Sequence, residues 1–278
     1  MNITKSLSVF NRVTFVESSH TYLIDDQPTN TLSVTGLIKQ FKKPFEKEKM
    51  ANIVAKKRGV TALQIKAEWD MNNLYSTTLG SMLHKYIENF YNNKKVQFDG
   101  SLNGLGKEEK IKLAGHLPTL IDFFRKFYTD NQHLLCVKNE IVLGDLSDTK
   151  ICGMSDLLCY NTNTDQLEIL DFKTNKKITN ESKYGNLLFP FDDMSVGELN
   201  EYTIQLNVYK YFIEKYTDLK IDKLKIVWFN SIANDSYKVY ELQDIQTKVE
   251  QMFEKVRSTS LSRERYTKNI HISPQPMV

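Results

Sequence analysis

The sequence has few cysteines, which limits the covalent and metal-cluster frameworks that it can build. Its 278 residues include 3 cysteines, Cys136, Cys152 and Cys159. An odd number at these spacings argues against a disulfide framework, and an iron–sulfur cluster usually takes more thiolates than this chain has. We therefore predict no iron–sulfur cluster, and we interpret the cysteines as small core residues on strands in a reducing, intracellular setting.

Long apolar runs and targeting segments are also missing. No apolar run approaches the roughly 20 residues of a membrane-spanning helix. The N-terminus lacks the apolar segment and small-residue cleavage site of a secretory signal, so we expect a cytoplasmic protein with no membrane partner. The patterns G-x-x-x-x-G-K-[ST] and G-x-G-x-x-G do not occur, which argues against a nucleotide-driven motor and a dinucleotide-dependent enzyme.

Charge of either sign is close to balanced. The 37 Lys and Arg residues against 34 Asp and Glu residues give a net charge of +3, so any nucleic-acid surface must be local. The chain is 41% hydrophobic and 26% charged, as is usual for a globular protein. We find no repeat, low-complexity tract or linker. We predict one domain over 1–278, divided into an N-terminal part (1–76), a core (77–260) and a loose tail (261–278).

The stretch from Gly153 to Lys173 carries the most information. It reads as two short strands joined by a turn over 161–165, which is rich in residues that tolerate turn geometry. The first strand carries Asp156, and the second ends in Asp171 and Lys173.

Side chains alternate along a strand, so Asp171 and Lys173 share a face with Leu167 and Ile169. That face is apolar where the strand begins and charged where it ends. Such charges are costly to bury unless they are paired or bind a metal. The pattern is therefore typical of a site that holds Mg²⁺ and activates water, although an ordinary solvated Asp–Lys pair would give the same residues.

Two further segments carry candidate ligands. An amphipathic helix is predicted over 77–92, with His84 and Glu88 one turn apart on the same face. A lone helical histidine is more often structural than a ligand. The strand predicted over 133–143 carries Glu140, which is either an exposed position on an edge strand or a third carboxylate.

The N-terminal part is predicted to contain a β-hairpin and basic helices. We place one strand near 20–24, a turn over 25–28 and a second strand near 32–34. Residues 45–73 are helical and basic, with a helix end at Arg58-Gly59. This run is either a solvated helical face or an arch that contacts phosphates.

The second half of the chain supplies the remaining elements. Residues 174–195 read as a long irregular loop, a type that is often functional. The helix predicted over 196–216 carries Gln205 and Tyr209, one turn apart. Two closing strands and a final helix are predicted within 223–258.

In this order, the segments resemble the PD-(D/E)XK nuclease superfamily and its RecB-like exonuclease branch. Each motif is weak alone, but the ordered set is specific and covers about residues 77–216. The motifs are G-S-M-L-H at Gly80–His84 followed by Glu88, the strand glutamate Glu140, G-M-S-D at Gly153–Asp156, D-F-K at Asp171–Lys173 followed by Thr174, and Q-L-N-V-Y at Gln205–Tyr209. The chain departs from several members of this branch in lacking four cluster-binding cysteines.

The resemblance implies an α/β fold with a restriction-endonuclease-like core, in which helices flank a central mixed β-sheet. An N-terminal β-hairpin and a helical arch would precede that core. The activity implied is a metal-dependent DNA nuclease, most simply an exonuclease of replication, recombination or repair. DNA would be its partner, with a recombination or replication protein as a second candidate. The N-terminal part also resembles small phage-coded nucleases, which would act in the cytoplasm of a bacterial host.

The resemblance also assigns roles to residues. Lys173 would orient the attacking water, and would act as its base only if its pKa were depressed. Glu88 would belong to the outer shell. The catalytic residues would be Asp156, Asp171, Lys173, Gln205 and Tyr209. The ligands of Mg²⁺, which Mn²⁺ would replace, would be His84, Glu140, Asp156, Asp171 and the carbonyl of Phe172. The DNA contacts would be Lys56, Lys57, Arg58 and Thr174.

Two other functions fit the same residues. An endonuclease or flap nuclease would use the same site, and the histidine-bearing helix favours the exonuclease because it accompanies end-processing members of this branch. A catalytically idle DNA-binding scaffold would keep the fold. The intact Asp156, Asp171 and Lys173 argue against it, since an idle protein needs none of them.

Overall fold

A computed structural model describes residues 2–27, 31–95, 102–180, 185–230 and 236–270, with side chains given as far as residue 258. The α-helices within these ranges are α1 Ile3–Leu7, α2 Val34–Lys39, α3 Lys47–Arg58, α4 Ala62–Tyr91, α5 Lys107–Asp130, α6 Glu198–Tyr216 and α7 Gln246–Ile270. The strands are β1 Val13–Val16, β2 Thr21–Ile24, β3 Leu32–Ser33, β4 Leu134–Gly144, β5 Ile151–Asn161, β6 Gln166–Lys173, β7 Ile221–Trp228 and β8 Lys238–Glu241.

The core is a mixed β-sheet flanked by helices, as predicted. The strands β4, β5, β6, β7 and β8 lie side by side, and β6–β7 is the parallel pair among them. The short strand β3 pairs in parallel with the start of β5. Helices α2 and α6 pack on one face of the sheet, while α4 and α5 pack on the other.

The predicted hairpin of 153–173 is present as β5 and β6. Its turn includes Asp165 at a φ of 59°, a left-handed conformation that aspartate adopts more readily than most residues. Leu167 and Ile169 pack in the core beneath α6, whereas Leu170 and Phe172 pack against α4 and α5. Both faces of the hairpin are therefore largely buried, and its charged end carries Asp156, Asp171 and Lys173.

The pairing of β5 is interrupted where its polar residues lie. On one edge, β3 pairs with β5 as far as Cys152, and β6 pairs with it only from Leu157 onward. Residues 153–156 lack a strand partner on that edge, and we call this segment the pairing gap. In continued register Asp156 would oppose Asp171, so the gap opens between the two carboxylates.

Helix α4 is longer than predicted. It has 30 residues and begins at a capping box formed by Thr61 and Gln64. It runs without a break through residues 76 and 77, where the sequence suggests a division of the chain. Its first half and α3 form a helical hairpin around a small core of alanines and Ile65, and we call this hairpin the arch.

The N-terminal hairpin exists and both predicted strands are present as β2 and β3, but the predicted pairing between them was wrong. The paired strands are β1 and β2, joined by a turn over 17–20 in which His20 has a φ of 53°. Residues 32–33, expected to complete the hairpin, instead pair with Ile151 and Cys152 of β5. The chain turns at residues 25–26, as predicted. After this turn it leaves the hairpin, and β3 pairs with β5, a partner that no local sequence pattern indicates.

Two smaller expectations also differ from the structure. Cys152 and Cys159 are buried as predicted, but Cys136 is exposed because it lies on the outer strand β4. Helix α7 extends to Ile270, so residues 261–270 of the predicted tail are helical. No helix in the described part of the chain is apolar and long enough to cross a membrane.

Gly153 allows α6 to lie close to β5. A Cβ atom at this position would be 2.7 Å from Cε1 of Tyr209, 3.0 Å from its hydroxyl and 3.0 Å from Cγ2 of Val34. Tyr209 of the predicted motif Q-L-N-V-Y therefore packs on Gly153 of the predicted motif G-M-S-D.

We expect Gly153→Ala to destabilise the protein by about 1–3 kcal/mol, because the added methyl group overpacks the contact with Tyr209. Gly115→Ala is the matched control. Gly115 lies in α5 with nothing within 4 Å of an added Cβ, so alanine there should stabilise the protein by up to about 1 kcal/mol. Urea denaturation measures both, and equal stability of the two variants would contradict the close-contact explanation.

Candidate active site

Asp156 and Asp171 stand on either side of the pairing gap, and each is held differently. Oδ2 of Asp156 accepts a hydrogen bond of 2.7 Å from the backbone N–H of Phe172. Asp171 is 1% exposed, and its Oδ2 lies 2.5 Å from Nζ of Lys173. Among the described residues, this buried oxygen has the ion pair with Lys173 as its polar contact.

His84 and Glu140 reach the same gap from other elements. His84 projects from α4, and its Nδ1 lies 3.3 Å from Oδ1 of Asp156. Glu140 comes from β4, the neighbour of β5 on its other edge. One ligand atom from each of His84, Glu140 and Asp156 lies within 4.8 Å of the other two, which is the spacing of a metal-binding triad.

Glu140 occupies a strained backbone position. Its φ is 47°, in a strand whose neighbouring residues Asn139 and Ile141 pair regularly with β5. The left-handed region costs a residue other than glycine roughly 1–2 kcal/mol. Strain of this kind persists only where the surroundings enforce it, and such positions concentrate at functional sites.

The electrostatics of the triad centre on Asp156. Burial alone would lower the pKa of His84, but the charge of Asp156 and its hydrogen bond outweigh burial and raise that pKa to about 9. Burial likewise acts to raise the pKa of Asp156, but the net direction is downward because of the charge and hydrogen bond of His84. The protonated imidazole and the carboxylate therefore stabilise each other.

The other two carboxyl groups hold protons more tightly than usual. Burial, and then the charge of Asp156, raise the pKa of Glu140 to about 8. The same two causes raise the pKa of Asp171 to about 6. Three carboxyl groups are thus crowded around two cationic side chains, His84 and Lys173. The oxygen-rich donor set of His84, Glu140 and Asp156 fits a divalent cation such as Mg²⁺ or Mn²⁺.

Lys173 remains protonated at this site. Burial opposes its charge, but Asp171 and Asp156 outweigh burial and raise its pKa. These two carboxylates thus act against the depressed pKa that a general base requires. Nζ of Lys173 also lies 4.8 Å from the ring centre of Tyr202, and the hydroxyl of Tyr202 donates a 2.8 Å hydrogen bond to Asn175.

Gln205 and Tyr209 are both buried and pair with each other. Nε2 of Gln205 donates a hydrogen bond of 2.9 Å to the hydroxyl of Tyr209. The α6 side chain that contacts Lys173 is Tyr202, which the sequence analysis missed. Tyr202 precedes Gln205 by three residues, so the spacing that placed Gln205 and Tyr209 on one face extends to it.

Two other predicted residues lie at the margin of the site. The carboxylate of Glu88 pairs with Lys85 at 2.8 Å, and its backbone carbonyl accepts a hydrogen bond from Asn139. Thr174 follows Lys173, and its Oγ1 would be 3.4 Å from a Cβ placed on Gly80. Gly80 therefore sits beside the end of β6, which brings α4 and its histidine toward the carboxylates.

The predicted DNA contacts on α3 are of two kinds. Arg58 forms an ion pair with Glu68 of α4 at 2.9 Å, and two further pairs join the helices of the arch, Lys47–Asp70 and Lys66–Glu48. Lys56 and Lys57 have no ion-pair partner among the described residues. Part of the basic run therefore joins α3 to α4, and the remainder presents free charge.

No protein-family model and no curated protein matches this sequence. Solved structures do match at low similarity. They include SSO0001 (15% identity, 53% of this chain and 60% of that one, TM-score 0.30), a candidate exonuclease from Eubacterium rectale (13%, 72% and 70%, TM-score 0.39) and an alkaline exonuclease from Laribacter hongkongensis (9%, 86% and 94%, TM-score 0.36). The chain thus spans 60% of the length of SSO0001. TM-scores this low do not support a conclusion about function, which therefore depends on the geometry of the site.

We expect the affinity for a divalent cation to rise with pH. A cation has to displace the protons that His84 and Glu140 hold up to pKa values of about 9 and about 8. Each displaced proton contributes up to about tenfold in affinity per pH unit. Calorimetric titration with Mn²⁺ at about pH 6.5 and about pH 8.5 measures this effect.

The exposed Asp222 of β7 supplies the control, because Asp222→Asn should leave the titration unchanged while Asp156→Asn should weaken binding at both pH values. Affinity independent of pH in the unmodified protein would exclude this triad as the cation site.

Proposed function

We propose that this protein is a metal-dependent nuclease that hydrolyses phosphodiester bonds in DNA. The observation that carries the proposal is the convergence of His84, Glu140 and Asp156 on one gap in the sheet, with Asp171 and Lys173 at the adjoining strand end. Carboxylates crowded at a buried strand end are costly to ionise, and a bound cation would offset that cost.

The chemistry requires positive charge and an oriented water molecule. Attack on a phosphodiester builds negative charge on the phosphoryl oxygens. A bound Mg²⁺ or Mn²⁺ supplies Lewis-acid stabilisation of that charge. The cation would be held by His84, Glu140, Asp156 and Asp171. This set is supported by the position of all four residues around the pairing gap.

The backbone of Phe172 contributes to the same arrangement. Its N–H already points to Asp156 across the gap. In a strand, the N–H and C=O of one residue point to the same side, so the carbonyl of Phe172 also faces the gap. The proposed carbonyl ligand is therefore directed toward the carboxylates rather than into the ladder with β7.

Lys173 acts in this proposal as a hydrogen-bond donor and a fixed positive charge. Its raised pKa keeps the proton on Nζ, which suits it to orient water or to contact a phosphate oxygen. Asp171 and the ring of Tyr202 fix the position of the ammonium group. Gln205 and Tyr209 act in this proposal as a hydrogen-bonded pair on α6, with Tyr209 packed on Gly153 of the strand that carries Asp156.

We further propose that the enzyme is an exonuclease, because the histidine-bearing helix resembles the end-processing branch of the superfamily. Digestion of end-labelled linear DNA beside a covalently closed circle tests this with Mg²⁺, Mn²⁺ or EDTA. We expect metal-dependent loss of the linear DNA alone, and a loss of at least about 100-fold in rate for Asp171→Asn. Asp222→Asn is the matched carboxylate control.

The other results of this assay have definite meanings. Efficient cutting of the circle would identify an endonuclease with the same site. DNA binding without cutting under either metal would identify a binding scaffold. Cutting that survives EDTA would reject the metal dependence itself.

Replacing the lysine separates chemistry from binding. We expect Lys173→Gln to lower kcat by about 100-fold or more, because water loses the group that orients it, while KM changes little. Lys110→Gln, on the exposed side of α5, should match the unmodified enzyme. A variant that raises KM and leaves kcat unchanged would show that Lys173 only binds substrate.

A further inference from the structure

A cleft of 1410 Å³ lies between the arch and α6. Its walls are the loop of residues 42–46 that leads into the arch, the segment 177–180 and the beginning of α6. Two lining residues are close in sequence to the candidate active site. Glu201 directly precedes Tyr202, which contacts Lys173, and Lys177 is four positions beyond Lys173.

An aromatic ring projects into this cleft from the loop. Phe45 is 59% exposed, so its aromatic face is open to a ligand in the cleft. The ring of Trp69 on α4 packs 6.1 Å from it, centre to centre. The next residue, Asp70, pairs with Lys47 at 2.6 Å, so both residues of the Trp-Asp pair hold the Phe45 loop against α4. The exposed ring is therefore held in position.

Two free lysines line the same cleft as this ring. Among the lining charges, Lys42 pairs with Glu201 at 2.7 Å, and Glu46 pairs with Lys49 at 2.8 Å. Lys43 and Lys177 have no ion-pair partner within the described ranges. Proteins bind unpaired nucleic acid with an exposed aromatic face and free cations in one groove, a base on the ring and phosphates on the cations.

We propose that the cleft binds an unpaired DNA strand, with a base stacked on Phe45 and phosphates on Lys43 and Lys177. The proposal rests on the nuclease function above and gives it a substrate form, a strand with unpaired bases. In duplex DNA the face of each internal base is covered by its neighbours, so this ring selects a strand whose bases are free.

Binding in EDTA tests the proposal without cutting. The probes are labelled oligo-dT and a blunt duplex of equal length, measured by fluorescence anisotropy over a range of salt concentrations. We expect Phe45→Ala to weaken oligo-dT binding by about 5-fold to 150-fold, the worth of one stacked base, with little effect on the duplex. Phe45→Trp should retain the affinity, because it keeps an aromatic face.

The lysines have their own readout. Lys43→Gln and Lys177→Gln should each reduce the slope of log affinity against log salt by about 0.7, the value for one phosphate contact on a single strand. The controls are Phe189→Ala, an exposed phenylalanine outside the cleft lining, and Lys110→Gln. Both should bind oligo-dT as the unmodified protein does.

Three results would overturn the proposal: Phe45→Ala binds oligo-dT normally, it weakens both probes equally, or the unmodified protein binds no oligo-dT. Digestion assays on the same samples keep the two proposals separate. Metal-dependent cutting with binding indifferent to Phe45 would remove the cleft proposal and leave the nuclease. Binding that depends on Phe45, without cutting under either metal, would reject the nuclease proposal and leave the cleft as a binding site for an unpaired strand.

Discussion

Crowding of carboxylates around Asp156 is the constraint on which this site depends. Burial opposes every one of these charges, and each carboxylate makes the next more costly to ionise. The protein answers with two cations of its own. His84 stabilises Asp156, and Lys173 stabilises Asp171. For Glu140, burial and the charge of Asp156 raise the pKa, and the charge of His84 offsets them only in part. The balance favours the arrival of a further positive charge.

The pairing gap explains how so many groups reach one point. A continuous sheet would use the backbone polar groups of 153–156 for pairing and would separate the two helical layers. The pairing of β6 with β5 ends at Leu170, and β3 pairs with β5 only as far as Cys152. The carboxylate of Asp156 therefore takes the place of a strand partner for Phe172. His84 from one layer and the α6 residues from the other then meet at the same strand ends. Gly153 allows α6 to approach β5 closely, and Gly80 allows α4 to approach the end of β6.

Much of the core was predictable because its signals are local. Alternation and turn chemistry located β5 and β6 and the faces of Asp171 and Lys173. Helical spacing located His84, Gln205 and Tyr209. The prediction failed where pairing is distant in sequence: Leu32 joins β5, and no pattern near residue 32 indicates that partner. Tyr202 was missed because a tyrosine on a half-buried helix face is ordinary, and only Lys173 beside it gives it a role.

The ion pairs of the basic run illustrate a second limit of sequence analysis. Composition alone could not separate Arg58, which joins α3 to α4, from Lys56 and Lys57, which present free charge. The distinction depends on Glu68 lying across the helical hairpin, ten positions away.

Helix α4 forms part of the arch and also carries His84. Thirty residues at about 1.5 Å each give a helix about 45 Å long, which begins in the arch and carries His84 in its last third. Because the helix is continuous, the arch and His84 belong to one element, and His84 lies 3.3 Å from Asp156. Any difference in the tilt of this helix between two states of the protein would therefore appear at the arch and at the charged cluster together.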